Sequence, residues 1–444
     1  MENIILITKC GKIKGIKTEN ACIFSSLPYA QTKRFEKPQP VNKWNLFDAT
    51  KRQVNCFQKF SFRDKTIESK DFYYNEFYFD RDSDFAETPM TLTIITPLSP
   101  KNCSVIVYLH GGSFENGCIN DLPFGSTEEY AKRNIIFVSV GYRLNIFGLF
   151  DSQNFMLQDQ MFALKWVKEN IEDFGGNKDN VTIMGQSAGA MCISDLLLYP
   201  PLKDYIKGAI LISGAGVIPR FVGPHRQQDN AWFWQKIIED AGCTTIEEAK
   251  KIDSRLLWES WYKNAHKQKI PMHLYAPSID GEIISDVPQS IIKRRLDVDV
   301  PLLIGVTSQD MFPYMIFDMA LNMGKRNFDL NRSAVYCYYF DITLPGDNYK
   351  AFHGCDLWYL FGNMDKSKRP FTSKDHAISK MMIDYVTNFV EKQNPNGVGL
   401  PQWDNISKDN HDFRLFSYGD RLTIKPVLAR GKLFYNMTFD RGPF

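Results

Sequence analysis

Long apolar runs are missing from this chain. A stretch of about eighteen consecutive apolar residues occurs nowhere, and the opening MENIILITKCGKIKG has no basic segment leading into an extended apolar one. Neither a membrane span nor export by a standard signal is expected, and the expected location is cytoplasmic, or secreted if a signal has been removed from the chain. A surplus of charge is missing too. The 53 basic and 51 acidic residues leave a net charge of +2, which offers no electrostatic footprint for nucleic acid or an anionic membrane. The expected partner is a small, nearly neutral molecule.

Cysteine patterns are equally thin. Nine cysteines are scattered without CxxC or Cys/His spacing, so neither a disulfide framework nor a zinc site is indicated, and reduced buried thiols are expected. No metal and no cofactor is called for. Asn-x-Ser/Thr sequons begin at Asn102, Asn180, Asn331, Asn405 and Asn436, but they mean little without an export signal. No internal repeat or low-complexity tract is found.

What the chain does have is apolar mass and β-branched runs. Apolar residues make up 44% and aromatics 14% of the 444 residues, ample for a large core and inconsistent with disorder. One α/β domain over 1–444 is expected. IILIT, KIKGI and residues 21–25 read as short strands, with SSLPYA and KRFEKPQPVNKW as a Pro-rich surface crossing. Residues 56–89, dense in Phe, Tyr and charge, read as a long loop with room for a short helix. From Thr91 onward TLTIITP, SVIVYLH, NIIFVSVGYRL, VTIMGQ, GAILISG, PLLIGV and AVYCYYFDI follow as strands. Several are continuous apolar runs, the mark of strands buried on both faces of a mainly parallel sheet. FMLQDQMFALKWVKENIEDFGG carries apolar residues at helical spacing until Gly175-Gly176 stops it, and a second helix runs from Ser373 to about Lys392. Strand alternating with helix predicts crossover units and a doubly wound sheet with helices on both faces.

Within that pattern, VTIMGQSAGA joins a strand to a helix through Gly185-Gln186-Ser187-Ala188-Gly189. A turn this sharp strains the serine backbone and needs small flanking residues so that strand and helix can approach. A serine hydroxyl is a weak nucleophile at neutral pH, so it needs a base in reach and a carboxylate to hold that base. In such sheets the order is serine, acid, histidine. His353, His376 and His411 remain as bases; His376 sits inside a helical pattern, whereas His353 lies in a loop before a glycine. Asp310 follows the buried strand PLLIGV, where α/β folds place their sites; Asp280 and Asp356 are the nearest substitutes. His110-Gly111-Gly112-Ser113-Phe114 follows SVIVYLH, and its bare backbone can aim N–H groups at a developing oxyanion, with Ala188 supplying another. Phe114 and Gln186 are candidates for touching substrate.

With these residues assembled, the sequence resembles the carboxylesterase/cholinesterase family of α/β-hydrolases nearly end to end. KIKG, LPYA, RFEKPQP and KW match its opening, HGGSF its oxyanion loop, and YRLNIFGLF with LQDQMFALKWVKENIEDFGGNKDNVTIMGQSAGA its most specific block. SIDGEIISDVP, VPLLIGVTSQD and FHGCDLWYLFG match its later segments. The resemblance implies an α/β-hydrolase fold and a serine carboxylic-ester hydrolase acting on small neutral esters through an acyl-serine. It implies Ser187 as nucleophile, His353 as base and Asp310 as acid, with Gly112, Ser113 and Ala188 lining the oxyanion hole. Arg34 with Glu87, and Arg143 with Asp159, are implied as structural ion pairs.

Four departures stand out. Gln186 occupies a place where glutamate is common, and this glutamine makes the elbow look like that of juvenile hormone esterases. Asp310 replaces glutamate as the acid. Cys56 lacks its usual disulfide mate near Pro89. The acid and the histidine are only 43 residues apart, which implies a shortened helical insertion and a shallower gorge. The rival readings are a lipase, disfavoured by that short insertion, and a non-catalytic binding or adhesion relative, disfavoured because all three triad residue types are present.

Overall fold

The computed structural model describes residues 2–51, 54–59, 72–78, 84–121, 123–125, 127–214, 224–267 and 272–424. Strands β1 (Glu2–Thr8), β2 (Gly11–Lys17), β3 (Ala21–Pro28) and β4 (Leu46–Asp48) open the chain, and β5 (Asn55–Cys56) and β6 (Phe85–Ala86) form a small pair. Then come β7 (Thr91–Pro97), β8 (Cys103–Leu109), β9 (Ile135–Val140), β10 (Gly176–Gln186) and β11 (Gly208–Ile212), followed by β12 (Leu302–Thr307), β13 (Val335–Phe340), β14 (Phe413–Phe416) and β15 (Thr423–Ile424).

Thirteen of these form one sheet in the order β1-β2-β3-β7-β9-β8-β10-β11-β12-β13-β14-β15, with β4 beside β2. The pairs from β1 through β7 to β9 are antiparallel, those from β9 across to β14 are parallel, and β15 returns antiparallel. Strand periodicity explains why the central strands are apolar throughout. Val105, Val107 and Leu109 enter one core cluster while Ile106 and Tyr108 enter the cluster on the opposite face, and Ile183 and Met184 divide in the same way.

The helix read from FMLQDQMFALKWVKEN spans Phe155–Asn170 and continues as one 3₁₀ turn to Gly175, whose φ of 79° ends it in the left-handed region. The later helix spans Ser373–Lys392, with a capping box at Thr372 and Asp375. One local expectation is corrected. SSLPYA is not surface crossing: β3 extends to Pro28, pairs with Thr91, and leads into buried Tyr29, whose hydroxyl donates to the Gly141 carbonyl at 2.8 Å. The interval between Asp310 and His353 carries the helix Pro313–Asp329, whose apolar face buries Ile316, Phe317, Ala320 and Leu321. Within 56–89, helical structure covers Phe72–Tyr78; residues 60–71 and 79–83 of that stretch, like the sequon at Asn436, lie outside the described residues. None of the nine cysteines is in a disulfide; Cys56 is buried and its Sγ accepts from the Leu144 N–H. Among the described residues no helix is long and apolar enough to cross a membrane.

Parallel register aligns the strand ends that matter. Gly185 of β10 pairs with Leu109 of β8 on one side and Leu211 of β11 on the other, and Leu211 in turn pairs with Ile304 of β12. The chain leaves β8 toward β9 on one side and leaves β10 toward β11 on the other. The carboxyl ends of β8 and β10 therefore flank a crevice, the place where open α/β sheets bind ligands.

Candidate active site

The elbow sits at the end of β10. Ser187 has φ 54° and ψ −125°, a region that a non-glycine residue occupies only when its surroundings force it. Two anchors do so: the Ser187 N–H donates to Ile212 on β11 at 2.8 Å, and the helix Ala188–Leu196 starts immediately after. Gly189 allows that helix to cross close to β8, since a Cβ there would collide with the Leu109 carbonyl and lie 2.5 Å from the His110 oxygen.

The loop of residues 110–114 follows β8. Gly112, Ser113 and Phe114 have φ of 117°, 57° and 63°, an unusual run of left-handed residues that turns the chain back on itself. The Glu115 and Asn116 N–H groups close the turn on the Gly112 carbonyl at 3.0 and 2.8 Å. No described residue accepts from the Gly112 or Ser113 N–H. The Ala188 N–H, at the first position of its helix, is one of the donors a helix start leaves over. The loop is held from behind. Tyr142 donates to the His110 carbonyl at 2.5 Å and stacks on its ring, and burial pushes the His110 imidazole down to about 4, so it stays neutral.

Asp310 and His353 come together through the sheet. Ser308 donates to Phe340 at the end of β13, and one further bridge, Gln309 with Phe352, extends the parallel ladder beyond the strands. That bridge lays the histidine loop along the acid loop. His353 Nδ1 lies 2.8 Å from Asp310 Oδ1, which also accepts the Met311 N–H at 2.8 Å, while Oδ2 accepts from the Thr307 hydroxyl at 3.1 Å. Burial pushes the Asp310 carboxyl up, but the charge and hydrogen bond of His353 outweigh it and hold the group below the usual carboxylate range. Burial likewise pushes the His353 imidazole down, and the Asp310 charge and hydrogen bond, helped by the Asp356 charge, raise it above its ordinary value.

Ser187 and His353 line two adjoining cavities. The larger, about 300 Å³, is walled by Tyr73, Phe77, Phe124 and Leu357 together with Gln186; the smaller, about 20 Å³, lies against Phe114, Ala188, Met191, Phe312 and Ile316. Gln186 is buried and its Nε2 lies 3.1 Å from His353 Nε2. The other candidates fall elsewhere. His376 is exposed on its helix. Asp280 Oδ1 accepts from the Glu282 and Ile284 N–H groups within its own turn, and Asp356 Oδ2 accepts from Tyr338. Arg34 bonds Glu87, and Arg143 bonds Asp159 at 2.6 and 2.8 Å with both of the latter side chains fully buried; none of the four lines either cavity. Thr307, Met311 and Tyr142, which support the site, were not singled out in the sequence. Thr307 and Met311 flank the acid motif and Tyr142 follows β9, but nothing in their pattern marks them.

A largely parallel sheet with the serine at a strand-to-helix elbow defines an α/β-hydrolase. Solved structures agree: a thermophilic PNB esterase superposes with a TM-score of 0.78 at 23% identity over 93% of this chain and 96% of that one. The juvenile hormone esterase of Manduca sexta, with OTFP covalently attached, gives 0.78 at 21% identity over 96% and 97%. The sequence profile of the Carboxylesterase family matches residues 2–330 and 315–425. The para-nitrobenzyl esterase of Bacillus subtilis (strain 168) is 26% identical over 89% of this chain and 91% of its own. The chain belongs to the carboxylesterase family and is an ester-hydrolysing enzyme.

Proposed function

We propose that the enzyme hydrolyses small, neutral carboxylic esters through an acyl-serine intermediate, with Ser187 as nucleophile, His353 as general base, Asp310 as the acid that orients it, and the N–H groups of Gly112, Ser113 and Ala188 as the oxyanion hole. The observation that carries this reading is the 2.8 Å contact of His353 Nδ1 with Asp310 beside a cavity that Ser187 also lines. With its Nδ1–H hydrogen-bonded to the Asp310 carboxylate, neutral His353 presents a lone pair at Nε2. Ser187 Oγ attacks the ester carbonyl while its proton passes to Nε2, and the carbonyl oxygen takes the charge against the loop amides. The C–O bond to the alcohol then breaks as Nε2 returns the proton to the leaving oxygen. Water repeats the sequence on the acyl-serine and releases the acid.

The cavity volume supports small substrates, since about 300 Å³ is at the lower end of small-molecule sites. Its described wall carries one lysine, Lys59, and one aspartate, Asp121, so it gains no net charge from them. Ser187→Ala should abolish covalent labelling by an organophosphate and lower ester turnover by several powers of ten. Labelling that persists on another serine of the variant overturns the assignment.

A further inference from the structure

The partner of His353 Nε2 in this structure is Gln186. The two nitrogens are 3.1 Å apart, and among the described residues no hydrogen bond joins Ser187 to His353. Because the Nδ1–H donates its hydrogen bond to Asp310 Oδ1, a neutral imidazole has only a lone pair at Nε2, and the group that meets a lone pair must be a donor. The Gln186 amide NH₂ is that donor. The side chain is 6% exposed and lies in a slot with main chain on both sides. A Cβ on Gly111 would collide with Gln186 Oε1, and one on Gly354, whose φ is 82°, would lie 3.3 Å from Gln186 Nε2. The amide thus spans from the oxyanion loop to the histidine loop.

We propose that Gln186 is a positioning residue for the base: its neutral amide donates to His353 Nε2 in the resting enzyme, favours the uncharged tautomer that accepts the serine proton, and so sets the pH at which the enzyme becomes active. This rests on the acyl-serine reading. The imidazole exchanges the Gln186 amide for the Ser187 hydroxyl when an ester enters. A carboxylate in the same slot would act in the opposite sense, accepting from the imidazolium N–H and stabilising the charged form.

The other charges that face the imidazole come from three directions. Asp310, after β12, bonds Nδ1. Asp356, on the histidine's own loop, is turned to Tyr338 of β13, and burial with the Asp310 charge pushes its carboxyl up to about 6. Asp121 and Lys59 line the larger cavity. Asp310 and Asp356 favour the imidazolium; the Gln186 amide is the neutral donor that opposes them. Removing the donor must therefore raise the pH needed for activity, and adding a carboxylate must raise it further.

The test compares wild type, Gln186→Met and Gln186→Glu, with kcat/KM for a neutral aryl acetate measured against pH. The wild-type acid limb should have its midpoint above about 6.5, the ordinary histidine value. The midpoint should move up by a few tenths of a unit in the Met variant and by about one unit or more in the Glu variant. Coincident wild-type and Glu profiles, or a downward shift with Glu, overturn the proposal. Gln186→Glu keeps the side-chain shape and carries the test if the Met variant folds poorly. The rate of organophosphate labelling against pH in the same proteins separates the two readings. Wild-type enzyme that is not labelled at Ser187 defeats the acyl-serine reading, whereas labelling of Ser187 with one common midpoint in all variants defeats only the role of Gln186.

Discussion

At the scale of single residues, the proposed acid Asp310 is held by more than its contact with the histidine. Asp310 accepts from the Met311 N–H, the Thr307 hydroxyl and His353, so its carboxylate is fixed from three sides before any substrate arrives. The Gln309–Phe352 bridge brings the histidine loop to the acid, which makes the missing methylene unnecessary. Asp310→Asn should preserve the melting temperature to within a few degrees but favour the wrong tautomer, lowering kcat by about 10⁴-fold. A loss below about tenfold in steady-state assays would move the acid role elsewhere. Asp310→Glu should impair turnover as well, because the longer side chain cannot keep both local donors and the same distance to Nδ1; equal or better turnover would contradict the fit described here.

At the scale of elements, the elbow depends on how closely a helix can approach a strand. Gly185 and Gly189 face each other across the turn, and Gly189 also rides on the Leu109 and His110 carbonyls. These are main-chain contacts, which have no rotamer by which to yield. Gly189→Ala should destabilise the protein by about 1–3 kcal/mol through overpacking, seen as a lower denaturation midpoint, and should reduce turnover by shifting Ser187. An unchanged midpoint would show that the turn has slack. The same scale explains which elements were legible. The central strands are continuous apolar runs, and the helix Ser373–Lys392 has a capping box and a clean stripe. The helix Pro313–Asp329 was not read, because Tyr314 and Phe328, 58% and 47% exposed, place aromatic residues on its outer face and blur the apolar stripe.

At the scale of the whole molecule, charge and cavity decide what can bind. The chain is nearly neutral overall, and the described wall of the larger cavity pairs one cation with one anion. Gln186, the residue before Ser187, carries an amide that is already engaged with His353. A quaternary ammonium gains from an aromatic face mainly when negative charge or desolvation adds to it. Choline esters should thus show kcat/KM about tenfold or more below neutral aryl or alkyl esters of similar size, as measured on a matched ester panel. A choline ester handled equally well would place a cation site in this cavity.

The sequence by itself determined the strand-rich α/β character, the elbow at Ser187 and the glycine-rich loop at Gly112 and Ser113, because each of these is a local pattern written in neighbouring residues. It also placed Asp310 after a buried strand and His353 in a loop, and it left Asp280, Asp356, His376 and His411 as alternatives. The family resemblance singled out Asp310 and His353, and the tertiary structure shows that these two are in contact. Asp310 and His353 are 43 residues apart in the chain and meet at 2.8 Å because β12 and β13 are neighbours in register. The same packing turned Asp356 toward Tyr338 and brought the Gln186 amide to Nε2 of the histidine. Contacts of this kind depend on which strands lie side by side and where their ends fall, and no spacing along the chain encodes them.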